Sequence, residues 1–125
     1  MQPDLERIAW MPSPPLAPDD GPIDTEHLRR MTLGDESLER EVLAMFSAQS
    51  VSLIGALAAL PAEARALVHT LKGSARAIGA FAVADAAAAL ETALRNGDDP
   101  GEALAELKNA AAQARAAIDG LLRRS

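Results

Sequence analysis

From residue 23 onward, apolar residues recur three and four positions apart in runs broken by Gly, Pro, Asn and Asp, and this spacing predicts helices rather than strands. Asp24 suits the N-cap of a short helix that carries Leu28 and Met31 and stops near Gly34. Asp35 then starts a long helix. Its stripe of Leu38, Val42, Met45, Phe46, Gln49, Leu53, Leu57 and Leu60 is expected to face the core up to about Pro61, with Gly55 marking a close approach by another helix. Pro61 suits the first turn of a third helix, which turns Ala64, Leu67, Leu71, Ala75 and Ile78 inward and ends near Gly79 or Ala80. A fourth helix from about Val83 to Arg95 is closed by Asn96 and Gly97. A fifth starts around Pro100 and carries Leu104, Leu107, Ala111, Ala114 and Ile118 to the C-terminal end. Connections this short force antiparallel neighbours, so the expected fold class is all-α: an antiparallel up-and-down four-helix bundle with a short additional N-terminal helix across one end.

Six of the eight prolines fall within residues 1–22, so no helix should run through that stretch. The chain therefore divides into a Pro-rich, extended and flexible tail over 1–22 and a helical-bundle domain over 23–125. Leu5 to Trp10 has room for one helical turn. Trp10, the only tryptophan, is open to two readings: an anchor on the bundle or on a partner, and a lone apolar residue in a mobile tail.

Composition narrows the class further. A chain of 125 residues is long enough for one domain with one modest core. Hydrophobic residues make up 49% of it but aromatics only 2%, and alanine supplies much of the apolar content, which favours closely packed helices over a large ligand cavity. A formal net charge of -6 leaves no basic excess to displace counterions from phosphates, so nucleic acid is not an expected partner. Without cysteine there are no disulfides or thiolate metal sites, and two histidines far apart make a poor zinc set. The start of the chain lacks the basic-then-apolar order of a signal peptide, and no apolar run approaches the roughly 18 residues of a membrane span. The expected location is cytoplasmic, with no membrane contact.

The candidate chemistry lies on the third helix. At about 100° per residue, Leu67 and Leu71 lie roughly 160° from His69 and Ile78 roughly 180° away, so the imidazole is expected on the solvent face. Within roughly 60° of it fall Ala62, Arg65, Lys72, Gly73, Arg76 and Ala80. A histidine flanked by two arginines and a lysine, with a glycine one turn away, suits a phosphoryl group. An exposed imidazole ordinarily titrates near pH ~6.5, so near neutrality one ring nitrogen is largely an unprotonated nucleophile that needs no separate base. Lys72 and Arg76 project along the same side, where they offset phosphate charge and meet acidic groups on a partner. Gly73 in mid-helix costs roughly 1 kcal/mol relative to alanine, understandable if a partner loop must come close to the imidazole.

The run from His69 to Gly79 resembles the signature of histidine-containing phosphotransfer (HPt) domains: His, two residues, Lys, Gly and a small residue, then a glycine about ten residues after the histidine. Here those places are His69, Lys72, Gly73, Ser74 and Gly79. The specific match covers about eleven residues, and the helix pattern from Asp24 to Arg124 also resembles that family's bundle. Gly34 before an acidic helix start, and Leu90 and Glu91 before Asn96 and Gly97, look like its commoner features. The resemblance implies a phosphoryl carrier in a multistep two-component relay, with His69 as phosphoacceptor and Lys72 as the phosphate's neighbour. Arg65, Gly73 and Arg76 then belong to the partner-binding surface. It implies as partner a response-regulator receiver domain or a hybrid histidine kinase, with the receiver domain supplying the aspartate and the Mg²⁺; no cofactor or metal is expected on this chain, which should act as a monomer.

Two other readings compete with that one. A helical adaptor could bind a receiver domain without being phosphorylated, with Lys72 and Arg76 a solvated face and Gly73 a relief of crowding. A phosphoacceptor and dimerisation domain of a kinase-like protein would build its bundle from two chains. His27 has no matching pattern around it and reads as structural surface; Ser74 reads as packing, and Gly79 as helix termination or packing. Catalysis by the chain alone is not expected, since it has no Walker-type glycine loop, no cysteine nucleophile and no Gly-x-Ser-x-Gly elbow.

Overall fold

The computed structural model of the protein describes residues 21–124. The expectations for Leu5 to Trp10 and for the tail as far as residue 20 lie outside those residues. Five helices follow one another: α1 (Thr25–Met31), α2 (Glu36–Leu57), α3 (Ala64–Ile78), α4 (Phe81–Asn96) and α5 (Gly101–Arg123). The architecture is all-helical, as the periodicity predicts: α2 to α5 form the bundle, and α1 packs on α2 and α3.

The helix ends follow from local chemistry. Asp24 and Asp35 each cap a helix with a side-chain oxygen, accepting from His27 N and Leu38 N at 3.0 Å. Between α1 and α2 the chain reverses through Leu33 and Gly34, both left-handed (φ 56° and 76°). Leu33 is 93% exposed, so its strained backbone serves the turn and not the core. Gly79 and Gly97 end α3 and α4 in left-handed C-caps.

Gly79 has a second role. The Asp24 N–H donates to its carbonyl at 2.9 Å, and a Cβ at Gly79 would lie 2.7 Å from the Asp24 carbonyl oxygen. The start of α1 is thereby pinned to the end of α3, a contact open only to glycine.

The core is drawn from all five helices. On α5 the stripe Leu104, Leu107, Ala111, Ala114 and Ile118 is buried as the spacing predicts. On α4, Val83, Ala84, Ala87 and Leu90 turn inward, and on α3 Ala64, Val68, Leu71, Ala75 and Ile78 do. The alanines among them let α3 and α4 pack close together. Val68 is fully buried and Leu67 only half-buried, so the inward face of α3 is turned slightly from the expected one.

The expected stripe on α2 needs a larger correction. Leu43, Phe46, Ser50 and Leu57 form the buried line, Val42, Gln49 and Leu53 are half-buried, and Leu38, Met45 and Leu60 are exposed, Met45 by 64%. Adjacent apolar pairs at Val42 and Leu43, Met45 and Phe46, and Leu53 and Ile54 write two stripes about 100° apart. The one that buries Ser50 wins over the one that would bury Gln49. The Ser50 hydroxyl is satisfied by donating to the Ser47 carbonyl of its own helix at 2.8 Å, whereas a buried amide needs several partners.

Three expectations nearby are also corrected. Gly55 is exposed and a Cβ there would meet nothing within 4 Å, so it marks no helix approach. Leu60 lies beyond α2 in a left-handed turn (φ 48°) and not on its stripe. Pro61 precedes α3 and is not in its first turn; its carbonyl accepts from Ala64 N at 3.0 Å as the helix begins.

Candidate functional site

On α3 the buried residues share the face of Leu71, and His69 stands on the opposite face with a side chain 70% exposed. Lys72, one turn on, is displaced toward α4 at the edge of the core, and its side chain is only 16% exposed. Across the α3–α4 turn, Glu91 projects from α4 with a side chain 17% exposed. Its two carboxylate oxygens divide their work: Oε2 is 3.1 Å from His69 Nδ1, and Oε1 accepts from Lys72 Nζ at 2.5 Å.

Glu91 fixes the state of the ring. The Lys72 ammonium bonded to it holds its carboxyl below the ordinary glutamate range; partial burial opposes this shift, and the hydrogen bond from His69 adds to it. An ionised carboxylate can only accept, so the hydrogen lies on Nδ1 and His69 Nδ1–H is the donor. In the neutral imidazole the remaining nitrogen, Nε2, then carries a bare lone pair. The arrangement is a nucleophile whose tautomer and orientation are set by a carboxylate, itself anchored by a lysine.

Sequence reasoning did not assign Glu91 a role. The signal was present in the topology: α3 and α4 form a tight antiparallel hairpin, and His69 and Glu91 stand equally far from Ala80, so the two are expected at the same level. Lys72, expected to point at a phosphate, here points at Glu91.

Arg65, Gly73 and Arg76 are all exposed around His69. A Cβ on Gly73 would meet nothing within 4 Å, so open space lies over the helix there. Neither arginine side chain has a hydrogen bond or ion pair among the described residues. Ser74 is half-buried on the α2 side. His27 is also half-buried, edge-on to Phe81 with ring centroids 5.1 Å apart. Its Nε2 is enclosed with no hydrogen-bond partner among the described residues, which ties it to packing and not to open surface. Among the described residues no three His, Cys, Asp or Glu side chains group as metal ligands, and no helix is long and apolar enough to cross a membrane.

A helical bundle that presents one histidine to solvent from mid-helix, with a carboxylate behind the ring and a lysine one turn away, is built like a phosphocarrier. The family model of the Hpt domain matches residues 41–117, more than half of the chain, and the protein belongs to that family. Hpt domains serve histidine phosphotransfer in two-component relays, interact with receiver domains and kinases, and are carriers rather than catalysts. No match to the chain was found among curated proteins or among solved structures.

Proposed function

We propose that the chain accepts a phosphoryl group on His69 Nε2 from an aspartyl phosphate of one receiver domain and passes it to the aspartate of another in a multistep relay. The observation that carries this reading is the pairing of exposure and restraint at His69: the ring is open on its Nε2 side and held on its Nδ1 side by Glu91. In the forward step the Nε2 lone pair attacks phosphorus, a phosphorus–nitrogen bond forms, and the bond to the aspartyl oxygen breaks with release of the carboxylate. Nδ1 keeps its hydrogen, so the phosphorylated ring is an imidazolium facing the Glu91 carboxylate. The reverse step returns the pair of electrons to Nε2 and leaves a neutral ring.

Most of the work in such a transfer is positioning and charge stabilisation. Lys72 is close enough to His69 on the helix surface to bridge Glu91 and a phosphoryl oxygen, and Arg65 and Arg76 supply a basic rim to an otherwise acidic protein. That rim suits the acidic pocket of a receiver domain, where Mg²⁺ would be held by the partner. As a chain of this family it acts as a carrier, the transfer calls on no cofactor of its own, and the receiver domains it would serve place its work in the cytoplasm. The bundle closes its core within one chain, which favours a monomer over a dimerisation domain.

The test is incubation of the chain with a receiver domain phosphorylated beforehand on its aspartate with a radiolabelled donor. Label is expected on this chain as an acid-labile, base-stable phosphoramidate, and His69→Gln should abolish it while helicity is kept. Acid-stable label, or label persisting in His69→Gln, contradicts the assignment. Absence of label on a chain that still binds receiver domains favours the adaptor reading.

A further inference from the structure

The basic rim around His69 lies on α3, and α4 adds to it an arginine outside the His69 to Gly79 run. His69 and Glu91 face each other across the α3–α4 hairpin, so the two helices run in step. Four residues back from His69 stands Arg65, and four residues on from Glu91 stands Arg95. Four residues of helix rise about 6 Å, which places the two arginines at one level, a turn beyond the ring toward the start of α3. Glu91 and Arg95, at i and i+4, share one edge of α4, the edge that meets α3 on the His69 side. Both arginines are exposed.

Arg95 does not extend straight into solvent. Its Nη2 donates to the hydroxyl of Thr92, the residue after Glu91, at 3.4 Å, so the guanidinium lies back along α4 toward the level of His69. The carbonyl end of α4 favours a cation in its last turn, but that field acts on the charge and leaves the other guanidinium donors unused. Among the described residues no ion pair joins Arg65 or Arg95 to a carboxylate, and Glu91 is already engaged by His69 and Lys72. Two like charges at one level of adjoining helices repel each other. In a chain with a formal net charge of -6, their pairing without a carboxylate fits a negative group that arrives from outside.

We infer that Arg95 belongs to the partner-binding surface, which therefore straddles α3 and α4: a receiver domain approaching His69 sets carboxylates of its acidic rim against Arg65 and Arg95 on one side of the ring and Arg76 on the other. The inference rests on the proposed receiver-domain partner and gives that partner's orientation a second helix to read. Arg95 acts on encounter and docking and not on the phosphoryl group, because an exposed rim charge changes chiefly the association rate and its salt dependence.

Transfer from a phosphorylated receiver domain, measured as a function of that domain's concentration, separates kcat from KM. Arg95→Ala is expected to raise KM about three-fold and Arg95→Glu about ten-fold, with kcat unchanged in both, while Arg95→Lys stays within about two-fold of the parent. These differences should shrink as ionic strength rises. Lys108→Ala removes the same charge from α5, a helix that does not pack on α3, and should leave KM alone. An unchanged KM in Arg95→Ala and Arg95→Glu overturns the inference, and so does a fall in kcat at constant KM, which puts Arg95 on the phosphoryl group instead. Binding of the same receiver domain, unphosphorylated and fluorescently labelled, followed by anisotropy, gives a second readout that needs no transfer. Weaker binding by Arg95→Glu is expected there, and binding equal to that of the parent overturns the docking role. Absence of label on the parent chain speaks against the carrier reading alone, so docking and transfer fail separately.

Discussion

Glu91 does for His69 what neither the exposed position nor the motif can do alone: it selects the tautomer. Its hydrogen bonds to His69 and Lys72 depend on its negative charge, which Lys72 maintains. Glu91→Gln keeps an acceptor of similar shape and removes that charge, so the phosphorylated imidazolium loses its counter-ion. Transfer onto His69 is expected to fall about ten-fold, equivalent to roughly 1.4 kcal/mol, with little change in helicity; an unchanged rate would reduce Glu91 to a surface partner of Lys72. The same group makes stability depend on pH. Because its folded-state pKa is depressed, its contribution is present above the ordinary glutamate value of about 4.3 and is lost as pH falls below it. Acid unfolding followed by circular dichroism should therefore be shallower for Glu91→Gln than for the parent below that pH, with the two curves parallel above it. At this scale the sequence revealed His69 and Lys72, because their motif lies on one helix. Glu91 became visible only once α3 and α4 were paired, since a contact between residues 22 positions apart has no local signature.

The helices carry two glycines with opposite roles. Gly73 has helical backbone and open space where a Cβ would stand, so Gly73→Ala is expected to raise stability by about 0.5 to 1 kcal/mol. Gly73→Gln should fold equally well and yet transfer poorly, because its side chain fills the space over which a partner approaches; measuring melting and transfer on both variants tests the two halves of this expectation. Gly79 combines a left-handed backbone with a Cβ position 2.7 Å from the Asp24 carbonyl. Gly79→Ala is expected to cost more than about 1 kcal/mol and to loosen α1 from α3, seen as faster amide exchange in α1. Helix boundaries at Asp24, Asp35, Gly79 and Gly97 were readable because each is a cap whose chemistry is local. The buried face of α2 was not. Two apolar stripes compete there, and the choice depends on whether Ser50 or Gln49 can satisfy its polar group inside the packed bundle.

For the whole molecule, periodicity and short connections sufficed for the all-helical bundle, because each helix but α2 has one dominant apolar face. Charge is distributed less evenly than the formal total of -6 suggests, since Arg65, Lys72 and Arg76 gather on the His69 side of α3. Association with an acidic receiver pocket should therefore weaken with salt, and the transfer rate should fall as ionic strength rises. Lys72→Ala should slow transfer more than Arg76→Ala, because it also strips Glu91 of its anchor; equal, small effects would make both residues a solvated face. The central claim is that the phosphoryl group is carried on Nε2 of His69 while Glu91 retains the hydrogen on Nδ1. Phosphorus–nitrogen correlation by NMR on the ¹⁵N-labelled, phosphorylated chain tests it most directly. The predicted result is one phosphohistidine signal, coupled to His69 Nε2, with Nδ1 still protonated and its signal displaced by Glu91→Gln. Phosphorus coupled to Nδ1, or found on His27 or on a carboxylate, would contradict the account.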